Sequence, residues 1–144
     1  AGETTESVPQ QPDDTDTVER NEEDEAFFRA AVRMMQGRWM GQRKSSRGGD
    51  PVPVGMEFSR LVATLAMKGV GKFQGRIIPE CSPGRVVAVD VEVEEGSWSL
   101  GVAQLVSENE LKYLACPPGH PRPRSFKTTE RHMQLYRMER VPPA

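Results

Sequence analysis

Val87, Val89, Val91 and Val93 alternate with Ala88, Asp90 and Glu92, and this period of two constrains the chain more than any other feature. Alternation over that length predicts a strand with one buried face and one wet face. The same grain runs through Arg38–Lys44, Met56–Met67, Lys72–Ile78, Arg85–Val93, Ser97–Val106, Glu110–Cys116 and Arg131–Arg140, with Met56–Met67 holding one long strand or two short ones. Turn signals divide the series at Lys68-Gly69, Ser82-Pro83-Gly84, Glu95-Gly96, Glu108-Asn109 and the Pro-rich Pro117–Pro123. Seven or eight short strands in so small a chain predict an antiparallel sandwich or barrel. Gly75 and Gly101 sit in mid-strand, where glycine marks the bends by which a sheet curls toward closure.

The formal net charge of −2 hides a division. Residues 1–25 carry ten acids against Arg20 alone, and the rest of the chain carries 11 acids against 18 Lys and Arg. Residues 1–24 hold no aromatic and only Val8 and Val18 as sizeable apolar groups. A segment so poor in apolar surface cannot offset its ordering entropy, so 1–24 is predicted to be a disordered acidic tail. It serves as a solvated linker or as an electrostatic screen over the basic domain. The Ala1-Gly2 start suits a mature protein whose signal peptide has been removed, although an engineered start reads the same. Order is predicted from Asp24, which can cap a helix over 25–37. There Phe27, Phe28, Ala31, Val32 and Met35 recur at helical spacing, with Arg29 and Arg33 on the wet side. No apolar run reaches the length of a membrane-spanning helix.

Several fragments in order resemble the small lipocalin-like domain of planctomycete bacteria. They are Met35-Gln36-Gly37-Arg38-Trp39, Asp50-Pro51-Val52-Pro53, Pro83 with Val89-Asp90-Val91, and Gly101 with Leu111 and Cys116-Pro117-Pro118-Gly119. Arg122-Pro123-Arg124-Ser125-Phe126 and the closing Leu135-Tyr136-Arg137-Met138-Glu139-Arg140 complete the series, which spans Met35–Arg140. Ala103 stands where that family has Tyr, Asn109-Glu110 replaces its Gly-Asp turn, and the Thr-Asp-Tyr signature of true lipocalins is missing. The resemblance implies an up-and-down lipocalin-like barrel of 7–8 strands over 25–141, led by the short helix. It also implies an extracytoplasmic setting, in the periplasm or cell envelope, and no reaction.

Within that frame Gly37 allows the turn from helix to first strand, Trp39 plugs one end of the barrel, and a terminal-strand Arg stacks on its indole. Arg140 fits that role best, with Arg137 as the other candidate. Cys81 and Cys116 either form one disulfide across three strands or remain two separate thiols.

The residues show no catalytic apparatus. His120 and His132 are the only histidines, no C-x-x-C or H-E-x-x-H spacing supports a metal site, and Gly69-Val70-Gly71-Lys72 reads as a hairpin turn rather than a phosphate loop. The chain is therefore read as a non-enzymatic module without cofactor or metal. Its first reading is a barrel that binds a small apolar ligand, with Phe73, Ile77, Val89, Val91, Trp98, Val102 and Tyr113 as lining candidates that serve equally as a filled core. The alternative is an envelope interaction module that docks a protein or acidic polymer through Arg43, Lys44, Arg47, Arg122, Arg124, Lys127 and Arg131. Only Phe126 lies among those basic residues, which argues against base-stacking recognition of nucleic acid.

Overall fold

A computed structural model describes residues 21–45, 49–82, 86–126 and 132–142. Among these residues one α-helix, α1 (Glu22–Met35), precedes eight strands: β1 (Gly37–Ser45), β2 (Val52–Ser59), β3 (Val62–Met67), β4 (Gly71–Ile78), β5 (Val87–Glu94), β6 (Ser97–Ser107), β7 (Glu110–Cys116) and β8 (Gln134–Arg140). Each strand pairs antiparallel with the next, and β8 returns to β1, so the sheet closes into an up-and-down barrel. The Met56–Met67 stretch resolves into parts of β2 and β3, joined by a tight turn at Arg60 and Leu61. No helix among the described residues is long and apolar enough to cross a membrane.

The helix begins earlier than the sequence predicts. Asn21 caps it by accepting the Asp24 N–H at 2.8 Å, which places Glu22, Glu23, Asp24 and Glu25 in the first turn, where the helix dipole favours acids. Residues 21–24 thus belong to the folded unit, and the rest of the expected tail, 1–20, lies outside the described residues. The helix also ends sooner, at Met35, because Gly37 with φ of 110° already starts β1. Phe28 and Met35 face the barrel, whereas Phe27 and Met34 are exposed.

That inward face closes one end. Trp39 is 0% exposed and donates from its indole Nε1 to Met35 O at 2.8 Å. Arg140 lies over the indole, with Cζ 4.3 Å from the ring centroid, and donates to Met34 O, to Gln36 O at 3.0 Å and to Glu108 O at 2.9 Å. One guanidinium therefore satisfies carbonyls at the helix C-terminus and stacks on the plug. Arg137, on the alternate parity of β8, is exposed.

From the plug upward, cross-strand rows line the interior: Trp39–Met56–Leu65–Phe73 in one row, Val54–Met67 in the next. Register shifts fall between Glu92 and Glu94 and between Leu105 and Ser107, while the mid-strand glycines mark close approaches. A Cβ on Gly75 would lie 2.0 Å from Asp90 O, and one on Gly101 would lie 2.6 Å from the Tyr113 ring. Gly75→Ala is expected to cost about 3 kcal/mol, because its obstacle is backbone that cannot turn aside. Gly55→Ala, whose nearest atom is 3.7 Å away, is expected to stay within about 0.5 kcal/mol of the parent. Equal urea midpoints for the two variants would refute that distinction.

The outer face of β5 departs from the expected wet side. Ala88 and Asp90 are both 0% exposed. Ala88 packs with Ile78 and Cys81 in a second apolar cluster. The connection after β7 supplies the cover over Asp90: Arg122 reaches Asp90 with both terminal nitrogens, one of which also donates to Gly101 O at 3.2 Å. Farther along, Lys112 Nζ sits 5.0 Å from the Phe126 ring centroid. This strap gives the barrel a second, external core on one side.

Candidate functional site

Opposite the helix the barrel is open. A cavity of about 410 Å³ lies there, bordered by Leu65, Met67, Val70, Phe73, Val91 and Val93 on one side and by Tyr113, Ala115, Gln134 and Tyr136 on the other. Strand parity explains the lining. Phe73 pairs in the row of Leu65, and Tyr113 pairs with Tyr136 across β7 and β8. The two tyrosine rings meet at 5.1 Å between centroids, and Tyr113 donates its hydroxyl to Val89 O at 3.0 Å.

Arg43 supplies the cationic group of this cavity. On β1 it shares parity with Trp39 and Gly41, and its register places it beside Tyr136 of β8. The sequence reads it as part of a basic surface; the barrel turns it inward because its parity matches that of the plug residue. Its Nη1 lies 3.5 Å from Met67 Sδ and 3.4 Å from Gln134 Oε1, while its Nε is buried without a hydrogen-bond partner. Burial pushes the Tyr136 hydroxyl above the usual tyrosine range, and the charge and hydrogen bond of Arg43 oppose that rise. Burial raises Tyr113 well above the same range, with Tyr136 adding to the rise. Both phenols are therefore neutral donors at physiological pH.

The seven lining candidates divide. Phe73, Val91 and Tyr113 border the cavity. Ile77 and Val89 point inward but form part of the packed core nearer the helix. Trp98 and Val102 belong to the outer face, since Val102 pairs with Ala88 and Trp98 with Glu92. Trp98 lies beneath Arg76, whose Cζ is 4.8 Å from its ring centroid. The inward positions of β6 before Leu105 are Ser99, Gly101 and Ala103, too small to register as hydrophobic alternation. Tyr136 and Gln134 were missed although β8 carries the signal, with Gln134, Tyr136 and Met138 alternating against Leu135, Arg137 and Glu139.

The remaining candidates also separate. Arg122 is 7% exposed and tied to Asp90, so it leaves the basic surface, and among the described residues of the expected patch Lys44 and Arg124 are exposed. Arg47, Lys127 and Arg131 lie outside the described residues. Cys81 and Cys116 are both buried and are not joined in a disulfide. His120 and His132 stack at 4.2 Å between centroids, and no group of metal-binding side chains occurs among the described residues.

Fold and cavity together define a class: a small closed β-barrel, plugged at one end and open at the other, with space for one small molecule. No protein-family model and no curated protein sequence matches the chain. Among solved structures it is similar to EF1p2_mFAP2b, solved bound to DFHBI, with a TM-score of 0.52, 13% identity, and coverage of 79% of this chain and 99% of that one. It is also similar to a redesigned β-barrel, b11L5F_LGL, with a TM-score of 0.47, 11% identity, and coverage of 78% of this chain and 96% of that one. At these identities the likeness concerns the fold alone.

Proposed function

We propose that this chain is a non-enzymatic binding module that holds one small, largely apolar molecule in the open end of its barrel. The observation that carries this reading is the cavity of about 410 Å³, which falls in the range of ligand sites and combines apolar walls with a few convergent polar groups. A filled barrel would have side chains meeting at that level, as they do around Trp39. The solved barrel of similar fold that binds DFHBI supports the reading by analogy of architecture. The extracytoplasmic setting and the kinship with lipocalin-like domains belong to the same proposal and rest on the fragments between Met35 and Arg140. Docking of an acidic polymer is the weaker reading, because Arg43 and Arg122 are drawn away from the surface it requires.

The neutral fluorophore N-phenyl-1-naphthylamine tests the proposal. It should bind the full chain saturably at one site. Ala115→Phe, which fills the cavity from β7, should weaken binding at least about tenfold, the effect of about 1.4 kcal/mol, while the melting temperature stays near that of the parent. Binding that does not saturate, or that is unchanged in a folded Ala115→Phe variant, would sink the proposal.

A further inference from the structure

The geometry points to a ligand that carries a carboxylate: we infer that the cavity takes a small monocarboxylate with an apolar body, its head group on Arg43. This rests on the binding role proposed above and specifies its chemistry.

Arg43 presents a planar fork of donors that matches a carboxylate in two parallel hydrogen bonds. Its present partners are neutral and weak. Met67 Sδ at 3.5 Å is a thioether and a weak acceptor, Gln134 Oε1 at 3.4 Å sits at the long end of hydrogen bonding, and the Tyr136 hydroxyl is the third contact. The Nε is buried and unpartnered. No carboxylate among the described residues pairs with this guanidinium, in contrast to Arg122, which is matched by Asp90. Glu94 borders the cavity, but it is exposed at the end of β5.

Arg43 is half-buried with its Nε cut off from water, so a guanidinium without a counter-ion carries a desolvation cost there that an anionic ligand offsets. The neutral Tyr136 hydroxyl beside Arg43 adds a donor that favours an anion over an amine. Phe73, Val91, Leu65 and Met67 provide the apolar walls for the body. A primary amine or a dicarboxylate fits poorly: the first meets a like charge, and the second carries an anion into apolar walls.

Competition on the full chain tests the inference, with decanoate and its uncharged isostere decanamide each displacing N-phenyl-1-naphthylamine. Decanoate is expected to displace the probe at concentrations at least about tenfold lower than decanamide, the gain of one charge-assisted hydrogen bond. In Arg43→Met that preference should collapse to near unity, while decanamide competes within about threefold of its original strength. Thermal melts establish that the variant is folded, and the comparison within the parent protein does not depend on it. Equal competition by the two compounds, or a preference that survives in Arg43→Met, overturns the head-group assignment and leaves the binding role standing. Failure of the probe to bind overturns both.

Discussion

Arg122→Met is expected to cost the barrel about 3–5 kcal/mol at neutral pH, a large part of the stability of a domain this size. The substitution removes the guanidinium that contacts both oxygens of Asp90 and leaves a fully buried carboxylate facing the strap. Arg76, whose charge also favours ionised Asp90, and the Gly101 N–H are the remaining support. Burial already holds the Asp90 carboxyl above its usual range, with Arg122 opposing the rise, so the variant should raise it further. A carboxyl whose folded value exceeds its unfolded value is favourable to the fold when protonated. That contribution is complete below the unfolded value and is lost as pH rises through the folded one. The deficit of Arg122→Met should therefore be greatest at neutral pH and shrink as the pH falls. The double variant Asp90→Leu/Arg122→Met should return to within about 1 kcal/mol of the parent, since a buried ion pair contributes little beyond an apolar pair of similar size. Urea unfolding at several pH values measures all of this. A single variant as stable as the parent would show that the strap does not depend on the pair.

Trp39→Ala carries the second large effect, about 3–5 kcal/mol. Three losses coincide: the largest fully buried side chain of the core, the hydrogen bond to Met35 O, and the face on which Arg140 rests. Because the bond and the stack both reach the end of α1, hydrogen exchange along Phe28–Met35 should quicken more than exchange in β6 or β7. Trp39→Phe keeps most of the volume and a ring face, and should lose only about 1–2 kcal/mol. Exchange that quickens uniformly over the barrel would mean that the plug does not dock the helix separately.

Much of the architecture is local in origin, and so it was legible. Val87, Val89 and Val91 announce an inward face at a period of two, Gly69, Gly96 and Asn109 sit at turns, and Gly75 yields to a backbone oxygen that no side chain could approach. The helix start was read three residues late because Asp24 and Asn21 both qualify as caps, and the choice depends on which turn docks Phe28. The site was less legible. Phe73, Val91 and Tyr113 were found because they are large and apolar. Arg43 was not, because a cationic side chain next to Lys44 reads as solvated until its parity with Trp39 is set inside a closed sheet. Trp98 and Val102 fail for the converse reason: their apolar alternation is real, but it belongs to the outer face of the sheet.

The sequence by itself determined a series of short antiparallel strands, in a sandwich or a barrel, with a capped helix before it, because alternation, turn residues and capping act between neighbours in the chain. Only the tertiary structure decided that the sheet closes and which faces of β1, β6 and β8 are inside, and the reason is closure. Once β1 pairs with β8, the position of Trp39 fixes the parity of Arg43, and through Tyr136 and Tyr113 that of the cavity wall. The strap decided a further part, since the charge of Asp90 is matched on the outer face by Arg122, brought from 32 residues away. Neither the charge in the cavity nor the ion pair beneath the strap has a signature in local sequence, because each is defined by partners distant along the chain.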